Sequence, residues 1–151
     1  MLHRMAARLP LAALCAVLLA SACCPRHRCI PEGVDASLAL PRDPLGLTLE
    51  VDVDGVLLGE LSLGDHVIDT GACTDVEPRV CATWREDAGQ LAVRIDRTPE
   101  ARPLLPEGGA LTVRVLDADA VVAEGAGALR FVRAGGCLDQ EPCPPHAALT
   151  L

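Results

Sequence analysis

A period of two limits the fold of this chain more than any other feature. In Leu47-Thr48-Leu49-Glu50-Val51-Asp52-Val53, apolar and polar residues alternate without a break. That is the pattern of a strand with one dry face and one wet face. Asp54-Gly55 follows, a two-residue hairpin signal of type I′. The return strand is expected over residues 56–63, with Leu57, Leu61 and Leu63 on one face and Gly59 marking a bulge on it. Alternation recurs over residues 79–85, where Trp84 shares the phase of Val80 and Ala82 and is expected inside, and over 91–97 and 111–115. It returns at 121–123, where Gly125 and Gly127 interrupt it before Leu129 and Phe131, and closes the chain at 147–151. No segment holds a helical period for three turns. About seven short strands predict an all-β fold, an Ig-like antiparallel β-sandwich.

The core of such a sandwich must be built without aromatics, since Trp84 and Phe131 are the only ones. Leu, Val and Ala have to fill it, so disulfide staples would add needed stability. Eight cysteines are present. Their local spacing suggests three short loops, Cys24–Cys29, Cys73–Cys81 and Cys137–Cys143, although six cysteines admit 15 pairings. A zinc site built from Cys24, His27, Cys29, Cys143 and His146 is the competing reading. The absence of a CxxC pair and the expected oxidising compartment set it aside. No metal or cofactor is expected.

That compartment follows from the N-terminus. Arg4 and Arg8 precede an apolar run, Leu11 to Ala20, and small residues lead to a cysteine. The run is too short to span a bilayer, which needs about 20 residues, and has the build of a secretory signal. Leu19-Ala20-Ser21-Ala22-Cys23 resembles the lipobox of bacterial lipoproteins. The resemblance implies that residues 1–22 are removed and that Cys23 becomes a lipidated N-terminus. It implies a membrane partner through that lipid, and the outer rather than the inner membrane where a cell has two, since Cys24 is not Asp. Cys15 leaves with the leader, so Cys24, Cys29, Cys73, Cys81, Cys137 and Cys143 remain for disulfides. Residues 23–44, with Pro25, Pro31, Pro41 and Pro44, read as a tether that extends at most roughly 70 Å. Residues 45–151 are then the β-sandwich domain.

After removal of the leader, eleven basic residues face twenty-one acidic ones, a formal charge of −10. A surface of that sign repels nucleic acid. The lipobox, the proline-bearing tether, the strand set and the loop Cys137-Leu-Asp-Gln-Glu-Pro-Cys143 together resemble small Cys-rich β-sandwich lipoproteins of bacteria, a resemblance that implies no particular activity.

Chemistry-bearing residues are scarce. Val67-Ile68-Asp69-Thr70-Gly71-Ala72 resembles the signature of aspartic peptidases. The resemblance implies that Asp69, with Thr70 and Gly71 beside it, would pair with a second copy across a dimer axis, as in retropepsin-like enzymes. His66 and Cys73 depart from that pattern, and no later partner motif follows. A plain turn suits Asp-Thr-Gly as well. Asp52-Val53-Asp54-Gly55 lacks the later ligands of a calcium loop. A copper site lacks its methionine, because Met1 and Met5 both lie in the leader. Ser37 and Ser62 are the only serines after the leader and have no nucleophile elbow. The function expected is therefore a non-catalytic binding or structural role in the cell envelope, with an envelope protein as its partner. A dimeric aspartic peptidase using Asp69 is the alternative.

Overall fold

The alternating run forms its strand as expected. In the computed structural model, which describes residues 29–133 and 143–151, β2 spans Leu47–Val53 and buries Leu47, Leu49, Val51 and Val53. The hairpin residues Asp54 and Gly55 take φ +53° and +79°, as a type I′ turn requires. The return strand β3 spans Val56–Leu63. Its register with β2 slips between Val51/Asp52, where Gly59 and Leu57 leave Leu58 unpaired. That bulge reverses the expected phase: Leu58 is buried, whereas Leu57 is exposed. One extra residue moves every side chain beyond it to the other face.

The remaining elements are β1 (Gly33–Ala39), the single-turn helix α1 (His66–Asp69), β4 (Ala72–Cys73), β5 (Val80–Arg85), β6 (Gln90–Asp96), β7 (Ala110–Asp117), β8 (Ala120–Ala128) and β9 (His146–Thr150). They form two packed sheets, ordered β4-β5-β6-β1-β9 and β3-β2-β7-β8. The chain is an all-β Ig-like sandwich. Val34, Val51, Leu91, Ile95, Leu111, Val113 and Leu129 are fully buried between the sheets. Trp84 is half-buried at the margin of the core.

Three expectations change. First, β1 lies inside the segment read as a tether. Val34, Ala36 and Leu38 point inward, and Asp35 and Ser37 point outward, but residues this small and flanked by prolines give a faint alternation. Second, the sandwich is not antiparallel throughout, because β1 and β9 pair in parallel from Gly33↔His146 to Ser37↔Thr150. Third, Gly125 and Gly127 do not interrupt β8, which runs through both. A Cβ on Gly127 would lie 2.6 Å from Leu149 Cδ2, and one on Gly125 would collide with Leu151 and meet Leu38 Cδ1 at 3.0 Å. The two glycines leave the room that the last strand's leucines occupy, and the Leu151 N–H donates to the Ser37 carbonyl at 2.9 Å.

The parallel pairing also decides a disulfide. Cys29 precedes β1 and Cys143 precedes β9, so the two are bonded to each other, with Cα atoms 5.3 Å apart, across a separation of 114 residues. The local pairing expected for each is replaced by this closure. Cys24 and Cys137 lie outside the described residues. Cys73–Cys81 is bonded as expected, as a directly opposed pair between β4 and β5.

Two measurements follow. Replacing Cys29 and Cys143 by serine should cost about 4–5 kcal/mol, against about 2–3 kcal/mol for replacing Cys73 and Cys81, because the longer loop constrains the unfolded chain more. Urea titrations of both variants would check this order. Gly127→Val should cost about 1–3 kcal/mol by overpacking, and adding Leu149→Ala, which removes the Cδ2 that the new side chain meets, should return part of that loss in a double-mutant cycle.

Candidate functional site

The polar members of the alternating strands converge on the outer face of the five-stranded sheet. Register places Cys81, Arg94, Asp35 and Ala148 in one row across β5, β6, β1 and β9. The next row is Thr83, Ala92, Ser37 and Thr150. Side chains this short leave an open groove of about 570 Å³ over the twisted face, with Arg85 at one end. Its floor is alanine and hydroxyl, and no large side chain fills it.

The charges in the groove are largely satisfied from within. Arg94 Nη1 donates to Asp35 Oδ1 at 3.0 Å, Nε to Asp96 Oδ1 at 3.2 Å, and Nη2 to the Pro31 carbonyl at 3.0 Å. His146 Nε2 lies 3.1 Å from Asp35 Oδ2. Its Nδ1 is buried, with no hydrogen-bond partner among the described residues. A carboxylate held between an arginine and an imidazole is oriented by both. Ser37 and the two threonines present hydroxyls, with no base hydrogen-bonded to them among the described residues. The groove offers hydrogen bonds and shape. No cluster of three or more His, Cys, Asp or Glu able to hold a metal occurs among the described residues.

One end of the sandwich is tied by a second arginine network. The lower pole is where Cys29 enters, below the first residue of β1 and the last of β6. There Glu32 Oε1 accepts from Arg97 Nη1 at 2.7 Å and Arg102 Nε at 3.2 Å, while Oε2 accepts from Arg102 Nη2 at 2.7 Å. Arg97 Nε also donates to the Leu105 carbonyl at 3.1 Å, and its guanidinium lies 4.0 Å from the Phe131 ring centroid. The forked bond from Arg102 and the two arginine charges hold the Glu32 carboxyl below its ordinary value, against the opposing effect of burial.

The Asp-Thr-Gly segment sits at the β5 edge of the groove, beside Thr83. Asp69 is the last residue of α1, and Thr70 caps it, its N–H donating to the His66 carbonyl at 3.0 Å. Gly71 takes φ +80°. A Cβ there would also stand 2.8 Å from Thr83 Oγ1. A helix end that needs a left-handed residue against a strand accounts for Thr70 and Gly71 without catalysis. Asp52, Asp54 and Gly55 are likewise explained locally: Asp52 pairs with Arg114 at 3.0 Å, and Asp54 Oδ1 accepts from the Ala110 N–H at 2.9 Å. Cys23 lies outside the described residues.

Sequence reasoning missed the groove. Asp35-x-Ser37, Thr83-x-Arg85, Ala92-x-Arg94 and Ala148-x-Thr150 are the polar halves of alternating strands, a visible signal. Which strands lie side by side is not carried by that signal. No family model, no curated protein and no solved structure matches the chain.

The pH dependence of the lower-pole network has a definite sign. Since the Glu32 carboxyl ionises more readily in the folded protein, its contribution is present above the ordinary value of 4.5 and is lost as pH falls through the lowered one. Glu32→Gln should cost about 1 kcal/mol at neutral pH and less in high salt. The difference from wild type should vanish in strong acid, as followed by urea titration across pH.

Proposed function

We propose that this protein is a lipid-anchored, extracytoplasmic β-domain that binds or supports another component of the cell envelope and is not an enzyme. The observation that carries this reading is the groove on the outer face of the five-stranded sheet. It is open and floored by small residues, and the Arg94–Asp35 pair within it is engaged internally. Such a face suits contact with an extended segment or a loop better than bond breaking.

Other features support the reading. Disulfides such as Cys29–Cys143 and Cys73–Cys81 belong to oxidising compartments. With Cys23 as the lipidated N-terminus, Cys29 follows it by six residues. The span from lipid to folded domain is then at most about 20 Å, not the 70 Å of a tether reaching Pro44. An anchor that short holds the domain beside its membrane.

Ala92→Arg and Ser37→Arg should fill the groove while leaving the fold intact. Cross-linking in membranes should recover a partner with wild type and lose it with both variants. The intact mass of membrane-extracted protein should match residues 23–151 plus acyl groups. A mass without lipid would overturn the anchor. Peptide hydrolysis by wild type that Asp69→Asn abolishes would overturn the non-catalytic reading.

A further inference from the structure

Exposed apolar side chains are distributed unevenly between the two poles of the sandwich. The lower pole gathers the start of β1, the β2–β3 hairpin, the β4–β5 connection, the long connection after β6 and the chain beyond β8. Ile30, Val56, Leu57, Val76, Leu104 and Val132 are exposed there, Ile30 by 52% and Val132 by 69%. The opposite pole has Leu45 and Val121. It also carries the exposed acids Asp43, Asp65, Glu86, Asp87 and Asp119 in its loops, with Arg42 and Arg85 among them. The lower pole mixes carboxylates with exposed arginines, Arg102, Arg130 and Arg133 among them.

Large side chains left in water around one end of a domain mark a contact surface. What covers them is indicated by where the chain goes. Cys29 enters at this same pole, next to Ile30, and is fastened to Cys143. The 28 residues before it hold the anchor sequence, and Cys23 can stand no more than about 20 Å away. The opposite pole has the larger excess of exposed carboxylates over arginines, so anionic headgroups repel it more than the lower pole.

We propose that the lower pole lies on the bilayer that carries the anchor, with Ile30, Leu104 and Val132 reaching the headgroup–acyl boundary and the β5–β6 and β7–β8 turns pointing away from it. This inference rests on the lipoprotein reading above. Apolar contacts add to the lipid and reduce the tilt of the domain. The groove on the five-stranded sheet then stands roughly upright on the membrane, open to a partner from the side.

The test uses the full-length, membrane-extracted protein with a single reporter tryptophan. Val132→Trp and Val121→Trp are each made with Trp84→Phe and reconstituted into phosphatidylethanolamine–phosphatidylglycerol vesicles with brominated acyl chains. Val132→Trp should be blue-shifted and quenched at least about twofold more than Val121→Trp. Flotation with the vesicles and weak quenching at both positions would overturn the orientation while the anchor stands. A blue shift at Val132→Trp without quenching would show protein, such as a second copy, on the pole and would also overturn it. Failure to float would overturn the anchor and this inference together. Should a variant not fold, hydrogen exchange of the unsubstituted chain gives the same answer. Slowed exchange of the Ile30, Leu104 and Val132 amides on vesicles relative to detergent supports the orientation, and unchanged exchange overturns it.

Discussion

The parallel pairing of β1 with β9 is the constraint on which the rest of this structure depends. It joins the first and last strands of the domain over five registered pairs. Strands that close a chain end to end gain their hydrogen bonds only after almost all loop entropy has been lost. The Cys29–Cys143 bond offsets part of that cost by shrinking the unfolded ensemble. Two further features complete the closure. Leu149 and Leu151 reach across the sandwich toward Gly125 and Gly127, and Leu151 continues the strand through its bond to Ser37.

Charge is used here mainly to position loops. Arg97 and Arg102 converge on Glu32 and tie the connection after β6 to the residue just before β1. Ala101 and Leu105 are thereby held as buried plugs at the lower end of the core. On the opposite sheet Arg114 lies among Glu124, Asp52 and Glu50, and its hydrogen bond to Glu124 with the charge of Asp52 keeps it more firmly protonated than usual. Asp52, nearly buried, is tolerable only beside that guanidinium. The all-arginine basic complement suits these roles, because a planar fork can satisfy two or three oxygens at once.

On the proposed reading, the groove and the apolar pole divide the labour of the domain: one end toward the membrane, one face toward a partner, and the more acidic end toward solvent. This division uses the fold's own polarity. The strands run between the poles, so the loops at one end share a single environment.

What could be read from the chain alone follows from range. Period-two alternation identified β2, β3, β5, β6, β7 and β9, and Asp54-Gly55 identified its hairpin, because each depends on neighbours a few residues apart. β1 was legible only faintly, since Ala36 and Ser37 differ little in hydropathy, and the bulge at Leu58 inverted a phase that pattern alone carries forward. The Asp-Thr-Gly segment was conspicuous as a motif, yet its Thr70 and Gly71 meet the needs of a helix end against β5. By itself the sequence determined an all-β, cysteine-stapled chain, because strand period, turn residues and cysteine supply are local properties. Only the tertiary structure decided the partner of Cys29, the purpose of Gly125 and Gly127, the groove and the apolar pole. Each of these is set by which strands become neighbours, and that is a choice made by packing the whole core.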